Sequence, residues 1–152
     1  MTSERSRLTL SCVVLVILAA TLVFHFWSRS STPNVKIAQD AVAHFRSQME
    51  AGQFQAIYAE ADDAIRQKHN EDDFVRLIAA IDRGVGALKE TRLSRARESW
   101  FSRGDKYVTL RYETTWERTK GEERFIVVIR QGQATLDSYK VTAPYPTFPP
   151  LP

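Results

Sequence analysis

One apolar stretch near the N-terminus constrains this chain more than any other feature. Residues 8–27 read LTLSCVVLVILAATLVFHFW and carry no formal charge when His25 is neutral. A helix of this length rises roughly 30 Å, which matches the hydrocarbon thickness of a bilayer. Basic residues flank the stretch at Arg5, Arg7 and Arg29. The stretch therefore predicts a transmembrane helix that follows a short N-terminal tail, residues 1–7.

Three other interpretations of residues 8–27 fit less well. A cleaved signal peptide would have a shorter apolar region followed by small residues, whereas this stretch ends in bulky Phe24, Phe26 and Trp27. A lipoprotein would place its cysteine after the stretch, but Cys12 lies near its start. A buried core helix would show a polar stripe, which residues 8–27 do not have. We therefore expect an uncleaved, single-pass signal anchor.

The orientation of this anchor follows from the short tail before it. Long C-terminal domains are translocated largely regardless of their charge, so we expect the N-terminus inside and the C-terminal domain outside. The predicted location is the plasma (inner) membrane, with an extracytoplasmic domain. The bilayer is then a partner through residues 8–27, and residues 28–33 form a polar linker.

Charge and cysteine content exclude two classes of function. The net charge of +3 comes mostly from the first 32 residues, which hold three basic residues and one acid. The remainder holds 18 basic and 17 acidic residues, so a nucleic-acid-binding surface is not expected. Cys12 is the one cysteine, which excludes intramolecular disulfides and the usual Cys/His metal spacing. We expect neither a metal nor a cofactor.

Apolar spacing of three and four residues predicts three helices after the linker. The first should follow the linker and end at Gly52, the second should carry its stripe over residues 54–65, and the third should cover residues 71–83, with Asn70 as its N-cap and Gly84 just beyond its end. The predicted apolar stripes are Ile37, Ala38, Ala41, Val42, Phe45 and Met49, then Phe54, Ile57, Tyr58, Ala61 and Ile65, then Phe74, Leu77, Ile78 and Ile81.

The second half of the chain has a β pattern. Turn signals at 103–105, 119–121 and 131–133 divide residues 88–143 into four runs rich in β-branched and aromatic side chains. The run 125–129 is apolar on both faces and predicts a central strand. In the second run, alternate residues share one face: Val108, Leu110, Tyr112, Thr114 and Trp116.

Helices followed by a four-stranded antiparallel meander predict an α+β domain, with the three helices covering one face of a curved sheet. The domain should span residues 34–143. The last residues, 144–152, are rich in proline and predict an extended tail.

Two segments carry a resemblance to a known superfamily. Residues 41–90, AVAHFRSQMEAGQFQAIYAEADDAIRQKHNEDDFVRLIAAIDRGVGALKE, resemble the helical half of small bacterial NTF2-like (cystatin-like cone) domains of unknown function, and residues 121–141, GEERFIVVIRQGQATLDSYKV, are similar to their last two strands. The resemblance implies a cone-shaped fold, often dimeric, with a pocket between helices and sheet. It implies no single function, because such domains include isomerases, dehydratases, ligand binders and interaction modules.

No residue is identified as catalytic. An isomerase of this fold would need a carboxylate base and an acidic donor facing it, and the residues of suitable type are Tyr58, Asp62, Asp63, His69 and Tyr112. Each has a structural explanation: the two aspartates fall near a helix end, where carboxylates are commonly solvated, His69 precedes an N-cap, and Tyr58 fits an apolar stripe.

Five aromatic residues are the candidates for a ligand pocket: Phe45, Tyr58, Trp100, Tyr112 and Trp116. Aromatic side chains at helical or alternating spacing usually belong to the core, so the core interpretation comes first. The sequence favours a membrane-tethered, non-enzymatic module that binds a protein partner or itself as a homodimer. A binder of a small apolar ligand is the alternative, and an isomerase or dehydratase the second alternative.

Overall fold

The computed structural model describes residues 32–100 and 104–143. The predicted anchor (8–27), residues 28–31 of the linker and the proline-rich tail lie outside these residues. Within the part described, no helix is both long and apolar enough to cross a membrane.

Helices and strands form two successive blocks along the chain. The helices are α1 (Pro33–Glu50), α2 (Phe54–Glu60), α3 (Asp63–Lys68) and α4 (Glu71–Val85). The strands are β1 (Leu88–Trp100), β2 (Lys106–Trp116), β3 (Lys120–Arg130) and β4 (Gln133–Thr142). The strands pair antiparallel in the order β1-β2-β3-β4. The predicted α+β class, with helices on a four-stranded antiparallel sheet, is confirmed.

The second predicted helix is in fact two short ones. Ala61 and Asp62 have extended backbone angles, and the Asp62 side chain accepts a hydrogen bond from the Ala64 N–H at 3.1 Å, which makes it the N-cap of α3. The Asp62 N–H donates to the Leu136 carbonyl of β4 at 2.8 Å. Ala61 and Ile65 are both buried. The apolar spacing therefore continues from α2 into α3 and does not indicate the break between them.

The last helix begins where predicted and ends slightly later. Asn70 is its N-cap and accepts a hydrogen bond from the Asp73 N–H at 2.9 Å. Gly84 lies inside α4, and the C-cap is Gly86, whose φ of 76° favours glycine. A Cβ on Gly86 would also lie 3.0 Å from a Glu117 carboxylate oxygen. Gly86 therefore sets the turn from the helices into the sheet.

The sheet has the predicted face and centre. The five alternating residues of β2 from Val108 to Trp116 are all buried, and β3 is paired on both sides. Gly121, expected in a turn, instead lies in β3 opposite Thr114. A Cβ there would clash with the Thr142 carbonyl oxygen. Glycine is needed at this position because the end of β4 approaches closely.

The core lies between α1 and the inner face of the sheet, since α1 contacts all four strands. Phe125, fully buried in β3, is at its centre. Its ring centroid lies 5.5 Å from that of Phe45, 5.9 Å from Tyr112 and 4.9 Å from Tyr139. These aromatic contacts connect helix to sheet, and they border a cavity at one end of the core.

Candidate functional site

A cavity of about 450 Å³ opens between the helices and the sheet. The second half of α1 forms one wall, and the last turn of α4 with the following residues, 82–88, forms another. Trp116, Glu123 and Tyr139 supply the sheet side. Small-molecule sites typically have volumes of about 300–1,000 Å³, so this cavity has the size of a ligand site.

A buried carboxylate lies at the sheet side of the cavity. Glu123, on β3, is 3% exposed. Its Oε2 accepts hydrogen bonds from Arg46 Nη2 at 2.6 Å and from Thr114 Oγ1 at 2.9 Å, and its Oε1 accepts one from the Tyr139 hydroxyl at 3.0 Å. Three donors therefore stabilise the buried charge.

Arg46 connects this carboxylate to β1 and β2. Its Nη2 also donates to Thr91 Oγ1 at 3.0 Å, and its guanidinium carbon lies 4.4 Å from the centroid of the Tyr112 ring. The ring face and the Glu123 carboxylate together compensate the buried positive charge. Arg46 Nε is buried and has no hydrogen-bond partner in the part of the chain that the structure describes.

Burial changes the acidity of the tyrosines around this ion pair. Burial raises the pKa of Tyr139 well above its usual value, and the adjacent negative charge of Glu123 raises it further. Burial also raises the pKa of Tyr112, although the Arg46 charge opposes this effect. Both phenols therefore stay neutral at physiological pH, and Tyr139 remains a donor to Glu123.

Asp82 is a second acid in the cavity lining, and it is partly buried. Burial raises its pKa, and the charge of the neighbouring Arg83 opposes the rise. Within residues 32–100 and 104–143 its carboxyl group accepts no hydrogen bond. Asp82 thus differs from Glu123, whose carboxylate accepts hydrogen bonds from three side chains.

The five aromatic pocket candidates lie in different places. Phe45 and Trp116 line the cavity, and Tyr112 lies against Arg46. Tyr58 packs on Phe74 and donates to the His69 carbonyl at 3.0 Å. Trp100 is 66% exposed at the end of β1, where the Lys106 ammonium lies 5.0 Å from its ring centroid.

The two aspartates considered for catalysis lie near a helix end, as expected, at the break between α2 and α3. They begin α3, and Asp62 is buried at 7% exposure rather than solvated, because it pairs with Arg130 and accepts a hydrogen bond from Thr135. Asp63 pairs with Arg66 on the surface. Neither aspartate lines the cavity.

The residues that form the polar part of the site were not identified from the sequence. Glu123 had a detectable signal, because it shares the inward face of β3 with Phe125, Val127 and Ile129. An acid at such a position needs a buried partner. The sequence contains nothing that selects Arg46, which lies 77 residues away.

Comparison with known proteins adds no assignment. No family model matches the chain, and no curated protein matches it. Among the described residues, no group of three or more His, Cys, Asp or Glu side chains is placed to hold a metal ion. The function is therefore argued from the cavity itself.

Replacing Asp62 by asparagine should lower stability in a pH-dependent way. Burial raises the pKa of Asp62, but hydrogen bonds from Arg130 and the Ala64 N–H outweigh this and lower it below its usual value. A carboxyl whose pKa is lower in the folded than in the unfolded protein stabilises the fold at any pH above its unfolded-state pKa. This stabilisation is lost as the pH falls through its folded-state pKa. Asparagine keeps the cap, so we expect a loss of about 1–2 kcal/mol near neutral pH that shrinks below about pH 4.

Urea denaturation of the wild type and Asp62→Asn across this pH range measures the difference. Asp63→Asn is the matched control, since its surface pair with Arg66 should contribute less than about 1 kcal/mol. A destabilisation by Asp62→Asn that is the same at every pH would contradict the prediction.

Proposed function

We propose that this chain is a membrane-tethered protein that binds a small, largely apolar molecule in the cavity between its helices and sheet. The observation that carries the proposal is the cavity, which is of ligand size and is lined by Phe45, Met49, Val85, Leu88 and Trp116 on its apolar part. A mixed apolar and polar lining is typical of small-molecule sites.

The state of Glu123 favours binding over catalysis. A general base needs a free lone pair directed at the substrate. Glu123 is held instead by Arg46, Thr114 and Tyr139. The carboxylate therefore serves as a fixed part of the wall, and the activity proposed for the cavity is reversible binding.

Two sequence features support the rest of the proposal. Residues 8–27 would hold the domain at a plasma-membrane surface, with the domain on the extracytoplasmic side. The resemblance to NTF2-like domains implies a pocket at the same helix–sheet junction. The association with a protein partner or a second copy, favoured by the sequence, stays a prediction.

A thermal-shift screen of small apolar and amphipathic compounds against the full chain in lipid nanodiscs tests the proposal. A ligand present at about 100 times its dissociation constant should stabilise the domain by about 2.7 kcal/mol, a shift of several degrees in Tm. Ala87→Trp should abolish the shift, because Ala87 is an exposed residue that lines the cavity and a large side chain there would occupy it.

The matched control is Lys89→Trp, which adds the same side chain at an exposed position that does not line the cavity. Lys89→Trp should keep the response. A screen without any compound that distinguishes these two variants would refute the proposed function.

A further inference from the structure

The charges around the cavity balance, and this constrains the ligand that the proposed function requires. Among the described residues that line it, three are basic and three are acidic: Arg46, Arg83 and Arg118, and Glu50, Asp82 and Glu123. A ligand with a net charge would therefore meet no excess of the opposite sign. Moving such a charge from water into a partly apolar cavity is costly unless a partner compensates it.

The mostly buried cation at the sheet side of the cavity already has part of its hydrogen-bonding capacity in use. Arg46 Nη2 already donates to Glu123 at 2.6 Å and to Thr91 at 3.0 Å. Its Nε is buried beyond the reach of solvent, so a ligand that enters the cavity does not reach it without displacing the side chain. The last turn of α4, residues 82–85, adds the partial negative charge of a helix C-terminus to the same wall.

A partly buried acid of the lining has unused capacity as an acceptor. Asp82 lines the cavity, and its carboxyl accepts no hydrogen bond in the part of the chain that the structure describes. An ammonium ligand would find this acid, but Arg83 and Arg118 line the same cavity and repel a cation. Burial also raises the pKa of Asp82, which disfavours the ionised form that a cation needs.

We propose that the ligand is an uncharged amphiphile: an apolar body lies against Phe45, Val85 and Trp116, and a hydroxyl or comparable neutral head group donates a hydrogen bond to Asp82. This inference rests on the proposed function and names the ligand class for the same cavity.

Three matched probes test it on the full chain in nanodiscs: naphthol, naphthoate and naphthylmethylamine, which share one ring system and differ in charge. Binding is measured by equilibrium dialysis, and the value for Ala87→Trp is subtracted to remove partitioning into lipid. Naphthol should bind at least about tenfold more tightly than either charged probe, since the three acids of the lining oppose the anion and its three arginines oppose the cation.

Asp82→Leu should weaken naphthol binding about tenfold, because it removes the acceptor. Asp72→Leu is the matched control, as it removes an exposed acid from the first turn of the same helix, outside the cavity lining, and should leave binding unchanged. Equal or tighter binding of naphthoate or naphthylmethylamine, sensitive to Ala87→Trp, would overturn the inference and leave the proposed function standing. Failure of all three probes to distinguish the wild type from Ala87→Trp would overturn the inference, and the thermal-shift screen would then decide the proposed function separately.

Discussion

Replacing Glu123 by leucine should lower the free energy of unfolding by about 3–5 kcal/mol, because it leaves Arg46 charged and buried without its partner. The substitution also removes the acceptor of the Thr114 and Tyr139 hydroxyls. Domains of this size are stable by only about 5–15 kcal/mol, so a large part of the folding free energy is at stake. Urea denaturation followed by circular dichroism measures the change.

A double-mutant cycle tests whether the ion pair is the cause. Arg46→Met with Glu123→Leu removes both charges, and the double variant should be more stable than Glu123→Leu alone, since no unpaired charge remains. Glu113→Leu is the control on the neighbouring strand, because its pair with Arg92 is exposed and should contribute less than about 1 kcal/mol. If Glu123→Leu costs the same in the Arg46→Met background as in the wild type, the proposed pairing is wrong.

Local sequence patterns predicted the fold class because each pattern depends only on residues that are close together in the sequence. The stripe from Ile37 to Met49 is one apolar face of a helix, and the alternation from Val108 to Trp116 is one face of a strand. Both faces are in the core or packed against it. The patterns failed at Asp62, where a cap interrupts a helix, and at Gly121, where the reason for glycine is the approach of β4. Both errors arise from contacts with a distant segment.

The candidate site was less predictable for the same reason. Phe45 and Trp116 were selected as aromatic residues and do line the cavity, but Tyr58 and Trp100, chosen on the same grounds, lie elsewhere. Residue type indicates that a side chain suits a pocket and does not indicate where the pocket forms. The cavity depends on the turn at Gly86 and on side chains that reach it from segments far apart in the chain, and local patterns do not show which segments these are.

The ion pair and the cavity are connected through one aromatic cluster. Phe125 touches Phe45, Tyr112 and Tyr139, and each of these also contacts the cavity or Arg46. The guanidinium of Arg46 lies 5.6 Å from the Phe125 ring as well. Since closely packed interiors transmit a change in volume to their neighbours, the wall of the cavity should depend on this ring.

Phe125→Ala should therefore lower the free energy of unfolding by about 3–5 kcal/mol, the usual cost of removing a fully buried aromatic ring. The space left behind would also loosen Phe45 and Tyr139, so the variant should lose the ligand response that the wild type shows in the thermal-shift screen. Phe125→Leu fills most of the volume and should recover much of the stability.

Trp100→Ala is the control, because this ring is 66% exposed and should cost less than about 1 kcal/mol. Urea denaturation of the three variants and the wild type measures their free energies of unfolding and ranks them. A loss for Phe125→Ala no larger than that for Trp100→Ala would mean that the ring is not enclosed between helix and sheet. The packing described for the core, and the cavity wall that depends on it, would then be incorrect.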